Sequence, residues 1–183
     1  MRWIWIDRIL ELDRGQRCAA LKNVSLAEDV LHDHWDTCAK HPTAAVMPNT
    51  LIIEGMAQTA GILIGHARDF REKVILAKIS RARFTAVAPP GYTLRFDTSL
   101  ERLDDHGAST SGTVTRINPA NGKSVLLAKI SLTFSHIDQS RSDHDLPEHN
   151  FVFTSQFMAL LRSSGFDVER HAGTQTNYDR KPG

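Results

Sequence analysis

Cysteine is scarce in this chain, with only Cys18 and Cys38 among 183 residues. One pair cannot make a disulfide framework. A chain of this length buries a sizeable core without staples, so the usage fits a reducing compartment. An excess of charge of one sign is also lacking. The formal net charge is +1, so nothing drives the chain as a whole towards nucleic acid or an anionic membrane. Any basic docking surface has to be local. No apolar run is long enough to span a bilayer, because the most apolar stretch, residues 51–64, is short and interrupted by Glu54 and Gln58. Residues 1–10 lack the apolar run and small-residue cleavage site of a secretory signal. No internal repeat is present. Apolar residues make up 41% and charged residues 23%, which is ordinary globular usage. The expectation is one cytoplasmic domain with no membrane span and no nucleic-acid partner.

Strand-forming residues come first. Trp3 to Leu12 and Gln16 to Val24 read as two antiparallel strands, punctuated by Asp13-Arg14-Gly15. Periodicity then fails from Ser25 to Pro48, where histidines, prolines, aspartates and a tryptophan crowd into a long loop, a feature that is usually functional. Asn49 is placed to cap a helix over Thr50 to Arg68. That helix is apolar nearly all round, so the rest of the domain must bury it. Gly55, Gly61 and Gly65 lower its propensity and make sense if sheet backbone approaches closely. Four further strands follow: Lys73 to Phe84, Thr93 to Leu103, Ala108 to Ile117 and Ser124 to Phe134. An antiparallel sheet wrapped around one central helix, an α+β fold, is the economical packing of this order.

The main domain is expected over residues 1–137. Residues 138–183 read as an extension: a polar linker, a short helix over Ser155 to Arg162 capped by Thr154 and ended by Gly165, and a disordered tail.

Glu54 stands out because a carboxylate inside so apolar a helix is costly unless partnered. Gln58 lies one turn later on the same face, within hydrogen-bonding reach. An apolar site favours the neutral form of a carboxyl, which suits a proton donor. His34, in Leu31-His32-Asp33-His34-Trp35, precedes the helix and is placed to meet its N-terminus. An imidazole, a carboxyl and helix N–H groups together supply a base, an acid and an oxyanion site. The set suits proton abstraction alpha to a thioester carbonyl followed by loss of a beta hydroxyl.

Residues Val46-Met47-Pro48-Asn49-Thr50-Leu51-Ile52-Ile53-Glu54-Gly55-Met56-Ala57-Gln58 resemble the V-M-P-G-x-L-I-x-E-A-x-A-Q segment of FabZ-type (3R)-3-hydroxyacyl-[acyl-carrier-protein] dehydratases, in the FabA/FabZ family. Ile6-Asp7-Arg8-Ile9-Leu10-Glu11-Leu12, Lys22-Asn23-Val24-Ser25, Ala77 to Phe84 and Pro90-Gly91 are similar to further family segments in the same order. The resemblance implies a hotdog fold and a homodimer, with a trimer of dimers as a larger assembly. Each site would take its histidine from one subunit and its glutamate from the other, with no metal and no organic cofactor. It implies dehydration of 3-hydroxyacyl thioesters on acyl carrier protein in fatty acid or related lipid biosynthesis, with catalytic His34 and Glu54. Trp35, Met47, Gln58 and Phe84 would contact substrate, and Lys78, Arg81 and Arg83 would dock the carrier.

The stretch from His34 to Val46 is about six residues longer than the family spacing, which leaves His41-Pro42 as a second candidate for the catalytic start. His32, His34, Cys38 and His41 are also potential zinc ligands, although H-x-H-x-x-x-C-x-x-H is not an established zinc spacing. Two other functions stay open: a hotdog thioesterase, and a non-catalytic protein that binds acyl carriers.

Overall fold

The computed structural model describes residues 3–32, 45–137 and 152–166. Six strands are present: β1 (Arg8–Asp13), β2 (Arg17–Asn23), β3 (Lys73–Phe84), β4 (Thr93–Leu103), β5 (Gly107–Ile117) and β6 (Ser124–Ile137). They form one sheet in the order β1-β2-β4-β5-β6-β3, with every neighbouring pair antiparallel. Three helices accompany it: α1 (Asp29–His32), α2 (Asn49–Ala67) and α3 (Ser155–Ser163).

Alternation decides which face of the sheet is buried. In β4, Leu94, Phe96 and Thr98 are buried while Arg95 and Asp97 are only half-buried, the period-two pattern of a strand with one face on a core. Irregularities in register at Ile9/Glu11, Leu76/Lys78, Ile79/Arg81, Leu100/Arg102 and Val114/Thr115 punctuate four of the six strands. Bulges of this kind strengthen twist and bend a strand, which curls the sheet around α2. The result is the hotdog architecture.

Helix α2 forms despite three glycines. Each costs about 1 kcal/mol against alanine. Burial of Ile52, Met56, Ile62, Leu63 and Ile64 stabilises by about 1.5–3 kcal/mol per side chain, so tertiary burial wins. Two of the glycines, Gly55 and Gly65, admit aromatic rings, not the sheet backbone that their pattern suggests. A Cβ at Gly55 would stand 2.5 Å from Phe96 Cζ on β4, and one at Gly65 would stand 2.8 Å from Phe153 Cε2 and from Phe70 Cδ1.

Three local expectations are corrected. Residues Trp3 to Ile6 lie outside any strand, because the Gln58 side chain takes the Trp5 N–H and the Trp3 carbonyl that a strand partner would use. Asn49 is inside α2; Pro48 is the N-cap, and no side chain caps the helix. The Pro48 carbonyl instead accepts from Leu51 N at 3.0 Å and Ile52 N at 3.2 Å. Thr154 stands at the N-cap of α3 without donating or accepting a side-chain capping bond. In addition, α1 interrupts a stretch that reads as loop in the sequence.

The sheet's two edges differ. Beyond β1 lies α3, whose Met158 and Leu161 are buried in the common core with Phe153. Ser164 Oγ accepts a hydrogen bond from Ile9 N on that edge at 3.0 Å. Strand β3 is the other edge, and from Ala77 to Arg83 it is exposed. No helix among the described residues is long and apolar enough to cross a membrane.

Candidate active site

Glu54 sits in the second turn of α2, half-buried. Its partner is the buried Gln58, whose Nε2 donates to Glu54 Oε1 at 2.8 Å. The orientation of that amide follows from the backbone. Gln58 Oε1 accepts from Trp5 N at 2.8 Å, while Nε2 also donates to the Trp3 carbonyl at 3.2 Å. A backbone N–H needs an acceptor and a carbonyl needs a donor, so Nε2 must face Glu54. The aromatic segment Trp3–Trp5, with rings stacked 5.5 Å apart, thereby aims the amide that holds the carboxyl.

Glu54 and Gln58 open onto a cavity of about 200 Å³. Its other walls are apolar: Val74 and Leu76 of β3, Phe134 of β6, and Val152, Phe153 and Phe157 from the C-terminal segment. A concave apolar lining with a few convergent polar groups is the usual form of a small-molecule site. Val152, Phe153 and Phe157 have no local signal that ties them to Glu54, and only the docking of α3 brings them there.

The remaining candidates are dispersed. Met47 is fully buried just ahead of α2, with its N–H donating to the Ala88 carbonyl at 2.8 Å. Phe84 ends β3 half-buried, opposite Ala128 of β6. Neither lines the Glu54 cavity. His34 and Trp35 lie outside the described residues, as do Cys38, His41 and the His32 side chain, and with them the zinc reading and the His41 alternative. The lead into that stretch is described. Lys22 Nζ lies 3.1 Å from Glu28 beside α1 and 4.5 Å from the Trp5 ring centroid.

Lys78, Arg81 and Arg83 are exposed on β3. They pair with Thr133, Ser131 and Lys129, which alternate with the buried Leu132 and Ile130, so all three face away from the core. Arg81, Arg83 and Lys129 line a broad groove across this outer face, together with Arg17, Glu11 and Asp97. Arg17 is neutralised by Glu11 and by Asp13 at 2.8 Å. Cys18, on the core side of the same region, is buried. Burial first, then the nearby Asp97 and Glu11, push its thiol up to about 12.

A family model described as a FabA-like domain matches residues 3–129. This chain belongs to the FabA-like family. The FabA-like match takes in β1 to β5, α2 and Glu54, and ends within β6. Curated proteins named 3-hydroxyacyl-[acyl-carrier-protein] dehydratase FabZ are similar to it. The protein from Caldanaerobacter subterraneus is 33% identical over 102 residues, 55% of this chain and 68% of that protein. The one from Polaromonas is 38% identical over 102 residues, 54% of this chain and 66% of that protein. Among solved structures, the dehydratase heterocomplex ApeI:P from Xenorhabdus doucetiae aligns with a TM-score of 0.56 at 16% identity, over 75% of this chain and 85% of that one. A thioesterase family protein from Silicibacter pomeroyi aligns with a TM-score of 0.57 at 13% identity, over 71% of this chain and 83% of that one. These likenesses carry the fold of the FabA-like chain, and its chemistry rests on the site residues.

Proposed function

We propose that this chain dehydrates (3R)-3-hydroxyacyl thioesters on acyl carrier protein to trans-2-enoyl thioesters, with His34 and Glu54 as the base and the acid. The observation that carries the reading is the single carboxyl, Glu54, held by Gln58 at the polar end of an apolar cavity, within the FabA-like match. His34 takes the alpha proton. The electron pair moves into the thioester as an enolate, and backbone N–H groups at the uncapped start of α2 receive the oxygen. As the enolate collapses, the bond to the beta oxygen breaks, and Glu54 protonates the leaving hydroxyl to release water. The proton on His34 then returns to Glu54 through solvent. Trp35 lines the acyl path beside His34, while Met47 and Phe84 support substrate binding from outside the Glu54 cavity.

The catalytic unit is residues 1–137, with 138–183 as an extension that docks back through α3, and the protein works in the cytoplasm. It acts as a homodimer joined along β3, the edge that α3 leaves open. Ile79 there is 48% exposed although it pairs with the buried Leu132, as expected of a core-facing residue waiting for a second copy. His34 of one copy then serves Glu54 of the other. Light scattering distinguishes a dimer from a trimer of dimers. The carrier docks on Lys78, Arg81 and Arg83, which have no ion-pair partner among the described residues, and Arg83 lies opposite Lys129. Like charges facing each other across strands are destabilising, and an anionic partner relieves them.

Hydration of a crotonyl-carrier thioester, followed by loss of enoyl absorbance, tests the reading. Wild type should turn over, and Glu54→Gln and His34→Ala should each lose about 10²-fold or more. Release of free carrier thiol would make the protein a thioesterase. Carrier binding without turnover would make it a non-catalytic acyl-carrier protein binder.

A further inference from the structure

We infer that the C-terminal segment 152–166 is the wall that limits acyl-chain length at the Glu54 site, with Phe153 closing the end of the chain's path and Phe157 lining its side. The inference rests on the dehydratase reading only for the ligand, an acyl thioester.

The path follows one stripe of α2. Glu54, Gln58, Gly61 and Gly65 are spaced four, three and four apart, so they share a face of the helix. Glu54 and Gln58 supply the polar end, where the thioester and the beta oxygen belong. At Gly61 a Cβ would meet nothing within 4 Å, so the helix surface there is open to the cavity it lines. One turn further on, at Gly65, the opening stops. The rings of Phe153 and Phe70 fill the space that a Cβ would take, packed edge to face with centroids 5.0 Å apart. From Glu54 to Gly65 the helix rises about 16 Å, which sets the scale of the path.

The wall is firmly held. Phe153 is 3% exposed, Met158 and Leu161 are buried, and Ser164 is tied to the β1 edge through Ile9 N. Phe157, one turn before Leu161 on α3, stays half-buried and faces the cavity. Phe153, Phe157, Met158, Leu161 and Ser164 all lie beyond 3–129, the stretch matched by the FabA-like model. The acid therefore sits in the shared frame, and the length limit sits in a segment outside it.

Calorimetric titration with saturated acyl-pantetheine thioesters, from butyryl to dodecanoyl, tests the wall without requiring turnover. The full chain is compared with Phe157→Ala and Gly61→Leu. Wild type should show affinity that rises with length and then stops rising. Phe157→Ala should move that limit to longer chains, tightening the longest by about tenfold. Gly61→Leu, which fills open space on the same stripe, should move it to shorter chains and weaken the longest by about tenfold or more. A length profile that is the same in all three proteins, each folded by circular dichroism, overturns the inference, and so does a wild type that binds no acyl-pantetheine. Shifted binding limits in a protein that never hydrates a crotonyl thioester uphold the wall and remove the dehydratase reading instead.

Discussion

Gln58 Nε2 donates to Glu54 Oε1 at 2.8 Å while its Oε1 accepts from Trp5 N, so one buried amide couples the N-terminal aromatic segment to the acid of the site. Gln58→Leu breaks both ends of this link. The Trp5 N–H then loses its acceptor, a loss of about 1–3 kcal/mol, and Glu54 loses its positioning. Turnover should fall by about 10- to 100-fold, with stability lowered in urea unfolding. A variant that is destabilised yet turns over like wild type would show that Gln58 holds Trp5 alone.

Gly61 and Gly65 sit one turn apart and should respond in opposite ways. Gly61→Ala meets nothing within 4 Å and should stabilise by about 1 kcal/mol through helix propensity. Gly65→Ala gains the same term, but its Cβ stands 2.8 Å from Phe70 Cδ1 and Phe153 Cε2. Overpacking costs about 1–3 kcal/mol, so a net loss is expected, with faster proteolysis near α3. Equal effects at the two positions in urea titrations would contradict the packing at Gly65.

Arg83 faces Lys129 across the β3–β6 ladder, and reversing one of these charges separates stability from docking. Arg83→Glu should raise stability by about 0.2–1 kcal/mol. Combined with Arg81→Glu, it should raise KM for a carrier-borne substrate about tenfold or more, leave KM for a pantetheine substrate unchanged, and flatten the salt dependence. Equal KM changes for both substrates would place these arginines at the acyl site and not at the carrier.

Burial holds the Cys18 thiol protonated up to about 12, against 9.0 for a free thiol. The unfolded chain loses that proton first, so it binds fewer protons than the native state above about pH 9, and stability falls as pH rises through this window. The slope is about 1.4 kcal/mol per pH unit. Cys18→Ala should remove this component, so its urea midpoint should drop less than that of wild type between about pH 8 and about pH 10. Identical drops would assign the alkaline loss to other groups.

Much of this protein is set by short-range pattern. The apolar run around Glu54 specifies a buried helix, and the four-residue spacing of Glu54 and Gln58 places them side by side on it. Alternation in Leu94, Phe96 and Thr98 specifies a one-sided strand, and β3 and β4 begin and end where alternation and turn residues put them. These features depend on neighbours within a turn or two, so composition and spacing carry them. Tertiary structure decided the rest. Trp3 to Ile6 has strand-forming residues yet lies across α2, because a glutamine far along the chain takes its backbone groups. The gaps at Gly55 and Gly65 of α2 are filled by Phe96 from β4 and Phe153 from beyond β6, and α3 covers one sheet edge while β3 stays open. Which distant ring enters which gap depends on shape complementarity across the folded core, and no local period in the sequence records that choice.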